Sequence, residues 1–323
     1  MASTASFDAT GNREDKTDLL TTVSPEETPM LSGLDKFRGP KANLMEWQTD
    51  DNDEVTFDGT IEGSDQTSFD DKAKNRKLLS NRIQEERKPY QVTDIQEMVD
   101  TAGVASEVAR AKAKSLIELK RNWESLIGSD QELQAGTGGQ PHLLRALGKF
   151  INSTNTNIDS SVRTPAASIG TTAGMTESQF NDVLQSVYES AGVVQTMRLY
   201  AGSGLQRVIT NYTRSEGATT PTPFQVNSNQ KDREIVFSVQ FYRGDYANVQ
   251  VISDLFLGRV SGVAYDTTAK NRGYLINPEM VKTSVMKAPF IFENTDEGGG
   301  PRGHAKMIGS LLCKNPKGLG KFV

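Results

Sequence analysis

The sequence predicts an α+β fold organised around one long helix. Residues 104–127 carry apolar side chains mostly three or four positions apart, which is the spacing of a single helical face. Short apolar segments typical of strands are concentrated in the second half of the chain. These segments are residues 195–200, 234–242, 247–257, 274–276, 281–293 and 305–313. Helices and strands mixed in this way indicate an α+β protein.

Three helices are predicted. We expect the long helix to run from about Val104 to Ile127, with Thr101 or Gly103 at its start. Gly128 is expected to end it, because glycine commonly follows the last helical residue. At about 1.5 Å per residue it is roughly 36 Å long. A second helix is expected after Thr176, whose hydroxyl is a favoured N-cap, and a short third helix is expected at 205–212.

The first 94 residues are predicted to contain an arm and a hairpin. Residues 1–37 have few apolar anchors and are expected to form a mostly extended arm. Residues 42–49 alternate as a strand does. A return strand is predicted at 82–94, where Pro89 marks an edge position or a bulge.

The charge pattern around this hairpin is the most unusual feature of the chain. Residues 42–71 hold ten carboxylates and no Lys or Arg, whereas residues 72–88 hold seven basic side chains and two acidic ones. A segment with so little apolar surface cannot order itself, so we expect its partners on another molecule. The pattern therefore predicts a protein that works by assembling.

Composition limits the class of protein. The chain has 323 residues, of which 36% are hydrophobic, and its net charge is −5. Its mean hydropathy of −0.50 is low for a self-contained globule. The net charge disfavours non-specific nucleic-acid binding by the whole molecule but allows a local basic face.

The sequence also indicates the compartment in which the protein is expected. Cys313 is the only cysteine, so no intramolecular disulfide can form. No apolar run approaches the ~20 residues that span a bilayer, and the N-terminus lacks the apolar core of a secretory signal. We therefore expect a soluble protein, made in the cytoplasm, with no membrane contact.

No motif supports catalysis or a cofactor. Gly202-Ser203-Gly204 lies between a strand and a helix, but Arg207 stands where a dinucleotide-binding loop needs its third glycine, so a tight turn is predicted. The glycines at 298–300 lack a following Gly-Lys-Ser/Thr and are expected at a hairpin tip. Two isolated histidines and one thiol are too few for a zinc site, and Cys313 is expected to be a buried apolar residue. The acidic segment does not fit a calcium-binding EF-hand.

A family resemblance rests on several segments. SPEETPMLSGLDKFRGPKANLMEWQTD (24–50) resembles the opening of a family of tailed-phage major capsid proteins with the Hong Kong 97-type fold. The resemblance continues through IEGSD (61–65), QEMVDTAG (96–103) and ELKRNWESLIG (118–128). It reappears at INPEMV (276–281), where Val281 replaces an aromatic residue of the family. Residues 135–175 match little of it.

This resemblance implies an architecture and a function. The implied protein is the repeated subunit of an icosahedral head that encloses double-stranded DNA, assembled as pentamers and hexamers with a portal and, in some phages, scaffolding or cement proteins. The expected parts are an N-terminal arm at 1–37, an extended E-loop at 38–94, a peripheral domain with a spine helix at 95–150, an axial domain at 151–275, and a return to the peripheral domain with a C-terminal tail at 276–323.

Two sets of residues are predicted to serve this function. The first set is expected to contact neighbouring subunits, through apolar anchors and through charges of opposite sign: Met30, Leu31, Leu44, Met45, Trp47, Asp50, Asp51, Asp53, Glu54, Lys72, Lys74, Arg76 and Lys77. The second set contains candidates for non-specific contact with packaged DNA: Arg13, Lys16, Lys112, Lys114, Lys120 and Arg121.

The sequence leaves one alternative of another class open. This alternative is a monomeric or small-oligomer binding module, such as a phage adhesin or decoration protein without shell-forming activity. An enzyme ranks below both, because no acid–base pair or nucleophile constellation stands out.

Overall fold

A computed structural model describes residues 27–53, 55–57, 59–99, 101, 103–191, 195–212, 240–257 and 269–323. Its helices are α1 (Pro29–Gly33), α2 (Asp94–Met98), α3 (Glu107–Ile127), α4 (Leu147–Phe150), α5 (Glu177–Ala191) and α6 (Ser203–Tyr212). Its strands are β1 (Asp35–Phe37), β2 (Leu44–Thr49), β3 (Lys77–Arg82), β4 (Gln84–Gln91), β5 (Ile169–Gly170), β6 (Gln195–Ala201), β7 (Phe241–Arg243), β8 (Ala247–Ser253), β9 (Gly273–Ile276), β10 (Val281–Asn294), β11 (Arg302–Cys313) and β12 (Gly320–Phe322).

The first sheet has four strands in the order β1-β10-β11-β4. The long strands β10 and β11 pair antiparallel, and β1 runs parallel to β10. Helix α3 covers one face of this sheet, where Leu119 and Trp123 join Ala305 and Met307 in one buried cluster. Long strands backed by an amphipathic helix bury enough apolar surface to form the first core of the molecule.

Helix α3 confirms the predicted long helix but begins later than expected. The hydroxyl of Ser106 accepts the backbone N–H of Ala109, so Ser106 is the N-cap and the helix starts at Glu107. The expected start at Thr101 or Gly103 is therefore wrong. Ser106 is closer in sequence to the apolar residues of the helix, and its hydroxyl can accept an N–H group of the first turn. The predicted end at Gly128 is confirmed.

The second sheet has six strands in the order β5-β12-β9-β6-β8-β7. Helices α5 and α6 contribute Phe180, Leu184 and Leu205 to its core, and Phe322 stacks on Phe180 with ring centroids 5.4 Å apart. The predicted strands at 195–200 and 274–276 and the helices after Thr176 and near 205–212 are confirmed. Most of the predicted strand at 234–242 lies outside the described residues.

The C-terminal segment differs from the prediction. Strand β12 pairs with β5 and β9 in the second sheet and is buried, at a place where the sequence predicted a tail and no strand. Lys321 holds this end in place, since its Nζ donates to Asp130 Oδ1 at 2.6 Å. Strand β12 is only three residues long and begins with a glycine, so its sequence pattern is too weak to predict a strand.

The pairing of strands in the N-terminal hairpin also differs from the prediction. Strand β2 confirms the predicted strand, but it pairs with β3, from Leu44 opposite Arg82 to Thr49 opposite Lys77. The return strand predicted at 82–94 is instead β4, which pairs with β11; Pro89 lies there on the sheet edge, as predicted. Strand β3 was not predicted, because the basic residues at 72–77 do not show the pattern of a strand.

The arm is not wholly extended. Its described part contains α1, which begins at Pro29, and the short strand β1. Proline is favoured in the first turn of a helix because its missing N–H has no helical partner there. Residues 1–26 lie outside the described part of the chain.

The glycine-rich turn joins β10 to β11, as predicted. Gly298 and Gly300 have φ values of +92° and +86°. The Asp296 carboxylate accepts the backbone N–H groups of Gly298, Gly299 and Gly300 at 2.9–3.1 Å. A Cβ on Gly300 would stand 2.3 Å from the Val92 carbonyl oxygen, so both the backbone and the space require glycine at that position.

Candidate assembly surfaces

The root of the hairpin β2–β3 is fixed to the first core. Trp47 donates its indole N–H to the Cys313 carbonyl at 2.9 Å, and its ring centroid lies 6.1 Å from that of Phe150. Buried Asn81 donates to the carbonyl oxygens of Arg145 and Leu311 at 3.0 and 2.8 Å and accepts the Arg145 N–H at 2.6 Å. The hairpin therefore leaves the body of the subunit in a defined direction.

Opposite charges pair between the two limbs of the hairpin loop, residues 50–76. Asp53 lies 3.0 Å from Lys72 and 3.2 Å from Lys74, and Arg76 lies 3.7 Å from Asp50. The hydrogen bond from Lys72 is the largest of the causes that lower the pKa of Asp53 to about 2. These pairs hold the outgoing and returning limbs side by side.

Two further pairs attach the limbs to the rest of the chain. Lys317 lies 2.6 Å from Asp51, and Lys77 lies 3.5 Å from Asp159. Every charged residue of the predicted contact set except Glu54 thus has a partner in its own chain; Glu54 lies outside the described residues. Contact of these residues with a neighbouring subunit stays a prediction.

The tip of the loop, residues 55–71, is apolar as well as acidic. The side chains of Val55, Phe57, Ile61 and Phe69 are 80%, 96%, 82% and 85% exposed. The same segment carries the exposed carboxylates Glu62, Asp65, Asp70 and Asp71. The prediction for this segment rested on its charge alone, and the two phenylalanines and two β-branched residues in a polar stretch are the sequence signal for an exposed apolar patch here.

The predicted apolar anchors divide into two groups. Met30 is fully buried in its own first core, so it is a core residue and not a surface anchor; this corrects the prediction for that residue. Leu31 and Trp47 are half-buried and pack against the same core. Leu44 and Met45 are half-buried and line a groove of about 680 Å³ between β2 and residues 37–42.

A second surface lies on the face of the first sheet that α3 does not cover; its residues on β4 are exposed, and its residues on β11 are half-buried. Alternation along β11 turns His304, Lys306 and Ile308 away from the helix. The paired residues on β10 are Phe292 and Phe290, and the Phe292 ring centroid lies 5.3 Å from that of His304. The remaining members of this open face are Glu85, Arg87, Pro89 and Lys287. Within this face Glu85 pairs with Lys306 at 2.8 Å and with Arg87, and Lys287 lies over the Phe290 ring. The open face is therefore aromatic and carries a net positive charge.

Two of the residues predicted to contact DNA are engaged in contacts within their own chain. Lys112 pairs with Glu293 at 2.6 Å, and the Arg121 guanidinium lies 5.1 Å from the Phe256 ring centroid. Lys114 and Lys120 are exposed on α3. Arg13 and Lys16 lie outside the described residues.

The remaining sequence candidates are structural. Cys313 is fully buried, as predicted, and burial raises the pKa of its thiol. His142 accepts the Gly136 N–H at 2.8 Å. No group of three metal-ligating side chains occurs among the described residues. None of the described helices is long and apolar enough to cross a bilayer.

Comparison with known families decides between the two classes left open by the sequence. The family model described as SU10 major capsid protein matches residues 3–323. The chain belongs to this capsid protein family. It is therefore a shell-forming major capsid protein of a tailed phage, as predicted, and the adhesin or decoration module is not favoured.

Solved structures with the same fold are phage capsids. The capsid of cyanophage P-SCSP1u has a TM-score of 0.60 at 10% identity, over 96% of this chain and 92% of that chain. The mature capsid of bacteriophage PhiM1 gives 0.58 at 9% identity, over 96% and 91%, and the capsid of cyanophage A-1(L) gives 0.57 at 13% identity, over 99% and 98%. None of the curated protein sequences matches this major capsid protein.

Proposed function

We propose that this major capsid protein forms an icosahedral head of pentamers and hexamers around double-stranded DNA, and that its loop tip binds a neighbouring subunit. The observation that carries the proposal is the loop tip, whose four apolar side chains are at least 80% exposed while the root of the hairpin is held by buried contacts. Fully burying one such side chain contributes about 1.5–3 kcal/mol. A phage head offers many identical contacts in closed rings, so these contributions are repeated.

The parts of the subunit follow the Hong Kong 97-type plan in this proposal. Helix α3 is the spine helix, the first sheet belongs to the peripheral domain, and the hairpin β2–β3 with its loop is the E-loop. The second sheet corresponds to the axial domain, which also takes strand β12. A portal protein, and scaffolding or cement proteins where they are used, are the expected partners.

The open face is the complementary surface that we propose for the loop tip. The tip carries carboxylates beside phenylalanines, and the open face carries basic side chains beside Phe290 and Phe292. Apolar contact supplies affinity, and the opposite charges set the register and exclude wrong pairings.

DNA contact is proposed to be non-specific and confined to basic groups on the inner surface. Lys114 and Lys120 support it, because both are exposed on one helix. Such contact weakens steeply with added salt.

The loop tip is tested by replacing Phe57, Ile61 and Phe69 with serine. We expect the subunit to be made and folded but to yield few or no particles in electron micrographs and in sedimentation velocity. Changing Thr56, Thr60 and Thr67 to serine alters the same loop at three exposed positions and is the matched control, which we expect to assemble normally. Normal shells from the first variant would refute the proposal.

A further inference from the structure

Helix α2 carries its apolar side chains on the side that faces solvent. Ile95 and Met98, one helical turn apart, are 76% and 84% exposed, and Val99, which follows the last helical residue, is 55% exposed. Positions i, i+3 and i+4 are neighbours on a helix surface, so these three residues form one strip, the α2 ridge. Exposed Asp94 and Gln96 border it. An apolar strip with a polar rim is the usual composition of a protein contact surface.

The other acidic side chain of α2 is turned toward the long helix. The Glu97 carboxylate accepts the Ser106 hydroxyl at 2.7 Å and the backbone N–H of Val108 at 3.0 Å, so it caps the first turn of α3. A negative charge is favourable at that end of a helix. These bonds fix how α2 is rotated about its own axis, with Glu97 toward α3 and the ridge on another side.

The chain before α2 is held by the glycine-rich turn between β10 and β11. The Val92 N–H donates to the Pro301 carbonyl at 3.0 Å. A Cβ on Gly300 would stand 2.8 Å from the Cα of Thr93, so the turn packs directly against the start of α2. Thr93 is the N-cap, and its hydroxyl accepts the Gln96 N–H at 3.4 Å. The ridge is therefore preformed, and covering it costs little ordering entropy.

The ridge lies at the opposite end of α3 from the second sheet. The C-terminal end of α3 meets that sheet, because the Tyr274 hydroxyl on β9 donates to the Gly128 carbonyl at 2.9 Å. Helix α3 has 21 residues, which at about 1.5 Å per residue separates its two ends by about 31 Å. In the proposed function the second sheet is the axial domain at the capsomer centre, so the ridge lies at the capsomer rim.

We propose that the α2 ridge binds the α2 ridge of a second copy of this chain, across a two-fold axis between neighbouring capsomers. The inference rests on the proposed function for the position of the ridge at the rim. Its three residues carry no charge, so they offer nothing to a phosphate or a charged tail and are complementary to another apolar strip. A two-fold axis brings identical patches together, and the bordering Asp94 of each copy stays in solvent, where salt screens its repulsion.

The size of the ridge limits where this contact forms. Three side chains are far fewer than the about 20–30 residues a side of a stable protein interface. We therefore expect no ridge-to-ridge dimer of the dilute subunit. In a shell, other contacts already hold the subunits together, so the effective concentration of one ridge for the next is high.

Cysteine cross-linking in assembled heads tests the contact. Cys313, the single native cysteine, is fully buried, so Ile95→Cys, Met98→Cys and Val99→Cys, made separately, each add one exposed thiol. A disulfide needs Cα atoms within about 7 Å, so it joins only copies whose ridges meet. After mild oxidation of purified heads, we expect a covalent dimer on a non-reducing gel from the ridge position nearest the axis. Gln96→Cys, beside the ridge on the same helix, is the matched control and should stay monomeric.

The outcomes distinguish this inference from the proposed function. Heads that form but give no dimer at any of the three ridge positions would overturn the ridge contact and leave the shell-forming function standing. Dimers that appear only when Phe57→Cys is added to a ridge cysteine would assign the ridge to the loop tip, which overturns the inference as well. A wild-type chain that forms no heads would count against the proposed function itself.

A second measurement needs no cross-link. Replacing all three ridge residues with serine should leave the unfolding midpoint of the dissociated subunit unchanged, because these side chains are exposed in it. Heads of this variant should break apart at a lower temperature than wild-type heads, as seen by electron microscopy and sedimentation, whereas Gln96→Ser heads should not. Heads of the triple variant as heat-resistant as the wild type would also overturn the inference.

Discussion

The buried amide of Asn81, together with Trp47, joins the hairpin β2–β3 to the body of the subunit. Its side chain satisfies two carbonyl groups and one N–H group that are otherwise shut away from water. Buried polar groups without partners are costly, so a residue of this kind is structural even though it lies at the root of the loop that we propose for assembly.

Asn81→Ala should lower the free energy of unfolding by about 2–3 kcal/mol, because it leaves these buried groups of Arg145 and Leu311 unsatisfied. Urea unfolding of the dissociated subunit measures the change. Gln48→Ala, on the exposed side of the partner strand, is the control and should stay within about 0.5 kcal/mol of the wild type. Equal unfolding curves for the Asn81 variant and the wild type would mean that water replaces the amide.

Single residues also mark the limits of sequence reading. Cys313 was placed correctly because its neighbours are apolar. Met30 was misplaced because an apolar residue in a polar arm looks the same whether it anchors to its own core or to a neighbour. Glu124 is fully buried and accepts the N–H groups of Met30 and Leu31. It gave no signal at all, since a glutamate in a charged helix is usually solvated.

At the scale of elements, strong periodicity predicted α3, α5, α6, β10 and β11 well. Elements that depend on distant partners were missed: β3 is hidden by basic residues, and β12 is only three residues long. Both are stabilised by strands far away in the sequence, and no local pattern reports such pairing.

The acidic residues of the hairpin loop lie in two different environments. The acids nearest the root pair with the returning limb, whereas the acids of the tip lie beside the exposed apolar residues. Replacing Asp50, Asp51, Asp53 and Glu54 with serine should separate the limbs and reduce shell yield while the circular dichroism of the subunit stays unchanged.

The matched variant replaces the same number of acids at the tip, namely Glu62, Asp65, Asp70 and Asp71. It keeps the limb pairs, so we expect shells to form but at a rate that depends less on salt, because the charge contribution to docking is gone. Altered circular dichroism in the first variant would show that the limb acids support the fold instead of the loop.

The described part of the molecule consists of two large sheets with their own helices and a charged hairpin that projects from the first core. The order of these parts along the chain was predictable, because the arm, the charged hairpin and the long helix follow one another in the sequence. The proposed contact surfaces were not, because the exposure of the loop tip and of the open face depends on the fold. Two different surfaces of one subunit that bind each other would make a heterologous contact, which can close into a ring.

A cryo-electron microscopy map of the assembled head tests the central claim most directly. The account predicts that Phe57 and Phe69 of one subunit are buried against the open face of another, with the tip carboxylates near Arg87 and Lys287. A map in which the loop tips project into solvent, with both phenylalanines uncovered, would contradict it.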